Sequence, residues 1–209
     1  MLPEPMVSPK RPILPNEIPR PADAEQIERL PDLDFEIAKQ KNVAEAQEAM
    51  KIYLLRHGIA EIGSAGDPDS ARALTGEGRA QLREILAVAK KADVSPSVVI
   101  SSPYKRALET ASIAASVLDY KGKVEQSQSL VPGATVEEVW DLLRENRSEE
   151  EVLLVGHQPL FGAAAAYLLA APNLLIDFKK GGLMRVDVMS YGPTPRAELK
   201  WYLTAKLAA

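Results

Sequence analysis

The apolar run Ile52-Tyr53-Leu54-Leu55 leads directly into Arg56-His57-Gly58, and about a hundred positions later Val152-Leu153-Leu154-Val155 leads directly into Gly156-His157. Four consecutive apolar residues ending in reactive ones mark a parallel strand buried on both faces, whose carboxyl end opens onto a ligand site. The chain contains two histidines in 209 residues, and each follows such a strand. A chain with this feature is constrained to an α/β fold, because parallel neighbours must be joined by crossover segments long enough to hold a helix.

The segments between these strands supply the helices. Thr75 is placed to cap a helix whose Leu82, Ile85, Leu86 and Ala89 share one face. Val98-Val99-Ile100 is a second buried strand, and Ser101-Ser102-Pro103 starts a helix carrying Ala107, Ala111, Ala114 and Leu118 along one side. A weak strand is expected near Val124. Thr135 and Glu138 then form a capping box ahead of Val136, Val139, Trp140 and Leu143. After His157, Pro159 stands at a favoured helix start, and Leu160, Ala164, Tyr167, Leu168 and Ala171 predict a buried helix through Ala171. Alternation at Met184–Val188 and Leu199–Leu203, around the turn Tyr191-Gly192-Pro193-Thr194-Pro195, predicts a closing hairpin. The expected architecture is a three-layer α/β/α sandwich with a mixed, mostly parallel sheet.

The N-terminal fifty residues differ in kind. Residues 1–31 hold 8 of the 16 prolines, too closely spaced for a helix or a sheet ladder. Residues 32–49 are rich in helix formers but have only a thin apolar stripe. The expected organisation is a Pro-rich, acidic, disordered extension over 1–50, with a helix at 32–49, followed by one domain over 51–209. Met50, immediately before the first strand, leaves open a start of translation there. Residues 1–50 carry 6 Lys/Arg against 10 Asp/Glu and the remainder 19 against 19, so the net charge of −4 resides in the extension. A neutral body without a basic stripe argues against nucleic-acid binding. There is no cysteine, hence no thiolate nucleophile, disulfide or cysteine metal site. With no secretory pattern and no apolar run long enough to span a bilayer, a cytoplasmic protein off the membrane is expected.

At the carboxyl ends of the strands, Arg56, His57, Arg106 and His157 converge into an anion site. Guanidinium groups hold their charge and grip phosphate oxygens in pairs, each charge-assisted bond worth roughly 1.5–3 kcal/mol, so a phosphoryl group fits better than a carboxylate. Taken singly, a histidine at a strand end is more often structural, and an arginine in a helix's first turn is more often solvated. Jointly, both histidines beside two arginines at strand ends are hard to explain by structure alone. Neither histidine has the carboxylate or His-x-x-x-His spacing of a metal site.

Leu54-Leu55-Arg56-His57-Gly58, Ser102-Pro103-Tyr104-Lys105-Arg106-Ala107-Leu108-Glu109-Thr110 and Val155-Gly156-His157-Gln158-Pro159 resemble the three signature blocks of the histidine phosphatase (phosphoglycerate mutase-like) superfamily. Arg56-His57-Gly58-Ile59-Ala60, Arg72 to Gly78 and Phe178-Lys179-Lys180-Gly181-Gly182 look most like its small SixA branch of phosphohistidine phosphatases. The resemblance implies a phosphoglycerate mutase-like fold and a metal-independent, cofactor-free hydrolase. In it His57 attacks phosphorus through an unprotonated nitrogen while its other nitrogen donates to a backbone carbonyl. His157, protonated, assists Arg56 and Arg106 at the equatorial oxygens. Arg72, in the loop beside the site, is a candidate for a further phosphate contact, with a solvated surface arginine the equal alternative.

Mutases and many phosphomonoesterases of the superfamily carry a glutamate that protonates the leaving alkoxide, in the region that here reads Leu130-Val131-Pro132-Gly133-Ala134. Glu137 and Glu138 lie nearby but suit a helix's first turn. Without an acid, leaving groups such as the imidazole of a phosphohistidine on a signalling or phosphotransfer protein are favoured. A broad phosphomonoesterase of small metabolites is the alternative, and a phosphate-binding module without turnover is another.

Overall fold

The computed structural model describes residues 49–208. The expected extension and most of its helix at 32–49 fall outside the described residues. Ala49 has no regular structure, and Met50 already belongs to the first strand.

Six strands, β1 (Met50–Arg56), β2 (Val98–Ser101), β3 (Glu125–Gln126), β4 (Glu151–Gly156), β5 (Leu183–Ser190) and β6 (Arg196–Leu203), form one sheet in the order β3-β2-β4-β1-β5-β6. The first four are mutually parallel, β5 is antiparallel to β1, and β6 is antiparallel to β5. The helices are α1 (Gly76–Lys91), α2 (Lys105–Val117), α3 (Val136–Glu145), α4 (Leu160–Leu168) and the short α5 (Ala205–Ala208). From β1 the chain steps to β2 and then β3 towards one edge, then reverses to β4 and on to β5. Crossovers keep one hand, so the reversal moves the connecting helices to the opposite face of the sheet.

The side-chain alternation of β1 shows both faces covered. Ile52 and Leu54 pack with Val139, Trp140 and Leu143 of α3 and Leu160, Phe161 and Ala164 of α4. Tyr53 and Leu55 pack with Leu82, Ile85 and Leu86 of α1 and Ala107, Ala111 and Ala114 of α2. Each fully buried Leu or Ile of these layers contributes about 1.5–3 kcal/mol through surface removed from water. This two-sided burial is why the strand is apolar without a polar alternation. The fold is the expected three-layer α/β/α sandwich with a mixed sheet.

Helix starts follow their sequence signals. Thr75 Oγ1 accepts from the Gly78 N–H at 3.0 Å. Thr135 and Glu138 form the complete reciprocal capping box. Helix ends do not follow theirs. Helix α4 stops at Leu168 instead of running through Ala171, because Ala170 takes φ 51°. The Ala170 and Ala171 N–H groups then bond the Tyr167 and Ala166 carbonyls at 3.0 and 2.9 Å. That is the Schellman closure, with alanine where glycine is usual. Asp93 and Asp119, both at φ 58°, follow the ends of α1 and α2, where the Val94 and Tyr120 N–H groups bond the Ala89 and Ala115 carbonyls at 3.1 and 2.9 Å. Putting a side chain in this region costs roughly 1–2 kcal/mol per residue, offset here by the carbonyls satisfied.

Candidate active site

β1 and β4 are adjacent parallel strands whose register sets Arg56 opposite Gly156. The His57 N–H extends that ladder by donating to the Gly156 carbonyl at 3.0 Å. His57 and His157 are therefore the next residues on neighbouring strands, and their ring centroids lie 5.0 Å apart, about one inter-strand spacing. Beyond this point β1 leads to α1 on one face and β4 to α4 on the other, leaving a crevice between them, the topological switch at which open sheets bind ligands.

His57 is 7% exposed. Its Nδ1 lies 2.7 Å from the Gly58 carbonyl. A carbonyl only accepts, so Nδ1 carries the proton and Nε2 keeps its lone pair. Into that lone pair the Nε–H of Arg106 points, at 3.2 Å. Burial, with Arg106, Arg56 and Lys180 adding positive charge, pushes the His57 pKa down to about 4, against the smaller opposing effect of the Gly58 bond. The ring is thus a neutral base with a defined tautomer.

His157, 1% exposed, has Nε2 2.9 Å from Ser102 Oγ and an Nδ1 that is buried with no partner. Burial, then the neighbouring His57 and Arg106, lowers its pKa to about 3. The free site therefore holds His157 neutral; the protonated form expected from sequence is the one beside a phosphoryl group. Removing the ring from water disfavours its charge when no anion is present to favour it.

Arg56, at the end of β1, donates from Nη1 to the Phe178 carbonyl at 2.5 Å, while its buried Nε has no partner. The loop carrying Phe178 is fastened to the same strand end, as the Gly181 N–H reaches the Arg56 and His57 carbonyls at 3.2 and 3.0 Å. Gly181 has φ 72°, a conformation that favours glycine. Arg106, in the first turn of α2, is 5% exposed. Its Nη1 donates to the Asp69 carbonyl at 2.7 Å and its Nη2 to Asp69 Oδ2 at 2.8 Å. Thr110, one turn on, donates to the Arg106 carbonyl at 2.7 Å and accepts from the Gly58 N–H at 3.3 Å, joining α2 to the turn after β1. From the other side Gly78 supports that turn. A Cβ there would meet the Ile59 carbonyl oxygen at 2.4 Å, so α1 approaches this closely only with glycine.

Arg56, His57, Arg106 and His157 are thus brought together. Arg72 is not joined to them directly. Its Nε bonds the Glu61 carbonyl at 2.7 Å and its Nη1 bonds Asp69 Oδ1 at 2.8 Å, so it reaches the site through Asp69. Glu138 Oε2 is committed to the Thr135 N–H at 2.6 Å, and Glu137 is exposed. Asp69, Ser102 and the Phe178 carbonyl were not singled out in the sequence. Ser102 lies inside a signature block, whereas a loop aspartate and a main-chain oxygen carry no sequence signal. Among the described residues no three His, Asp or Glu side chains gather to hold a metal, and no helix is long and apolar enough to cross a membrane.

A mixed α/β sandwich with two histidines and two arginines at the ends of adjacent strands defines a class, and residues 52–131 match the model of the histidine phosphatase superfamily, branch 1. Among solved structures the chain is similar to the protein histidine phosphatase SixA complexed with tungstate, at 26% identity and TM-score 0.67 over 75% of this chain and 98% of that one. It is also similar to a protein described as a SixA phosphohistidine phosphatase from Agrobacterium tumefaciens, at 23% identity and TM-score 0.64 over 75% and 98%. A mycobacterial glucosyl-3-phosphoglycerate phosphatase shares the fold at 18% identity and TM-score 0.58 over 73% and 98%. No curated protein matches the chain.

Proposed function

We propose that this protein is a metal-independent phosphohistidine phosphatase in which His57 is the nucleophile. The observation that carries this reading is the state of His57: neutral, with Nδ1–H held by the Gly58 carbonyl and the Nε2 lone pair turned towards Arg106. In the first step Nε2 attacks phosphorus in line, the bond to the leaving nitrogen breaks, and the phosphoryl group is carried on His57. Water then displaces it as inorganic phosphate, restoring the lone pair. Arg56 and Arg106 supply the positive charge that follows the equatorial oxygens, beside two almost wholly buried histidines. His157 stands ready to take a proton as the dianion arrives. Arg72 contributes through Asp69.

Selectivity for phosphohistidine is supported by the poverty of proton donors. Glu138 is spent on its helix cap. Asp69 is the carboxylate bonded to Arg106, but hydrogen bonds from Arg72 and Arg106 hold its pKa below the usual range, so it is a poor acid. An imidazole leaving group needs less protonation than an alkoxide. A protein-borne substrate is supported by the two loops reaching the strand ends, each of which exposes a large apolar residue, Ile62 and Leu175, both 94% exposed. The likeness to the SixA structures points the same way. The alternative, a phosphomonoesterase of small metabolites, rests on exposed Glu137, which shares a surface groove with Gln158 and Pro159 just after His157.

The test is turnover of a panel of histidine-phosphorylated proteins, sugar phosphates and phosphoserine by the full chain in excess chelator. Rapid release from phosphohistidine, with slow release from alkyl phosphates that Glu137→Gln does not alter, is expected. Faster turnover of sugar phosphates that Glu137→Gln abolishes would establish the alternative. Activity regained only on adding zinc or magnesium would refute metal independence.

A further inference from the structure

A guanidinium offers two usable edges, the terminal fork of Nη1 and Nη2 and the side edge of Nε and Nη2. Asp69 takes the terminal fork of Arg106, its main-chain oxygen on Nη1 and its carboxylate on Nη2. The side edge is left facing the nucleophile, with Nε 3.2 Å from His57 Nε2. A phosphoryl group arriving at His57 Nε2 meets that edge. Asp69 is held in turn from its far side. Arg72 donates to Oδ1, and its own Nε is anchored on the Glu61 carbonyl within the same loop. Glu61, Arg72, Asp69, Arg106 and His57 thus form a continuous chain of hydrogen bonds from the loop over residues 59–73 to the attacking nitrogen. Arg106 is buried and Asp69's side chain is 55% exposed, so the aspartate lies outside the arginine and not between it and the nucleophile.

We propose that Asp69 is a positioning residue, which by engaging the outer fork of Arg106 turns the inner edge of that guanidinium to the phosphoryl group. This rests on the reading above, in which Arg106 grips the transferring phosphoryl. An arginine has four rotatable side-chain bonds, and fixing the guanidinium before substrate arrives removes an ordering cost that the transition state would otherwise bear. The placement also explains why a carboxylate stands beside an anion site without occupying it. A competing anion would have sat on the edge that faces His57.

The experiment uses the full chain with four variants: Asp69→Ala, Asp69→Asn, Arg106→Ala and the Asp69→Ala/Arg106→Ala pair. Calorimetry with tungstate and with inorganic phosphate reads the anion site, and hydrolysis of para-nitrophenyl phosphate and of a histidine-phosphorylated protein reads kcat and KM. Asp69→Ala is expected to lower kcat/KM about tenfold or more, chiefly through kcat, with weaker tungstate binding and an unchanged melting temperature. Asp69→Asn keeps an oxygen for Nη2 and the main-chain carbonyl, and is expected to recover most of the loss. In the Arg106→Ala background Asp69→Ala is expected to do nothing more, because its effect passes through Arg106. Tighter tungstate binding by Asp69→Ala would show a competing anion and overturn the inference. Wild-type kinetics in Asp69→Ala, or effects of the two substitutions that simply add, would overturn it as well. If Arg106→Ala itself behaves as wild type, the reading of the site fails along with it; if Arg106→Ala is crippled and Asp69→Ala is silent, only the inference fails.

Discussion

Two neutral imidazoles in the site make the stability of the domain depend on acid in a calculable way. His57 and His157 are 7% and 1% exposed, and their pKa values are pushed down to about 4 and about 3, chiefly by burial. In the unfolded chain both titrate near 6.5. As pH falls below 6.5 the unfolded chain takes up protons that the folded one refuses, so the contribution of each ring is fully present above 6.5 and is lost on acidification towards its folded value. Between pH 7 and pH 5 that loss is about 2 kcal/mol for each ring, out of a total that for most domains is only about 5–15 kcal/mol. Carboxylates with lowered values, such as Asp69, act at lower pH and leave this window clear. The assay is urea unfolding at pH 7 and pH 5 in phosphate-free buffer, followed by the fluorescence of Trp140 and Trp201. His57→Gln and His157→Gln are each expected to remove about 2 kcal/mol from the difference between the two pH values. A difference that survives intact in the double variant would refute the reasoning.

Three further outcomes are expected. His57→Ala abolishes turnover and the trapping of acid-labile phosphate on the enzyme, since the chain has no cysteine and His157 is placed differently; labelled phosphate recovered on any other residue in the wild type contradicts this. His157→Ala retains tungstate binding but loses on the order of a hundredfold in rate, as when one oxyanion donor is removed, and unchanged rates would make the ring structural. A chain beginning at Met50, the first residue of β1 and paired with Val188 of β5, melts within a few degrees of the full chain and keeps its activity; a sharp drop would mean that the preceding residues pack on the domain.

The parts of the fold legible in the sequence are those whose causes are local. The unbroken runs at Ile52–Leu55 and Val152–Val155, the face Leu82, Ile85, Leu86 and Ala89, and the caps at Thr75 and Thr135 each state their structure within a few residues. The ends of α1, α2 and α4 did not, because the closing positions hold Asp93, Asp119 and Ala170 in place of glycine. In the site, side chains at strand ends were visible and their companions were not. Arg56 depends on the carbonyl of Phe178, 122 positions away, and His157 on Ser102, 55 positions away. Asp69 lies in a loop and meets Arg106, 37 positions away, so no periodicity marks it.

The neutral state of His157 in the free site leads to one more outcome, which bears on how the site takes its ligand. Its Nδ1 is buried and unpartnered, a cost that persists until something accepts from it or donates to it. A phosphate or tungstate dianion beside the ring accepts, and its two negative charges outweigh the repulsion from Arg56 and Arg106, so the pKa of His157 rises on binding. Binding should then draw a proton from solution. The sign follows: uptake occurs between the free value, about 3, and the raised value of the complex, and in that interval affinity weakens as pH rises. Calorimetry of tungstate binding at pH 7, in buffers of different ionisation enthalpy, measures the protons taken up. Up to one proton is expected for the wild type and none for His157→Gln, whereas equal uptake by both would place the proton elsewhere and leave His157 neutral throughout the reaction.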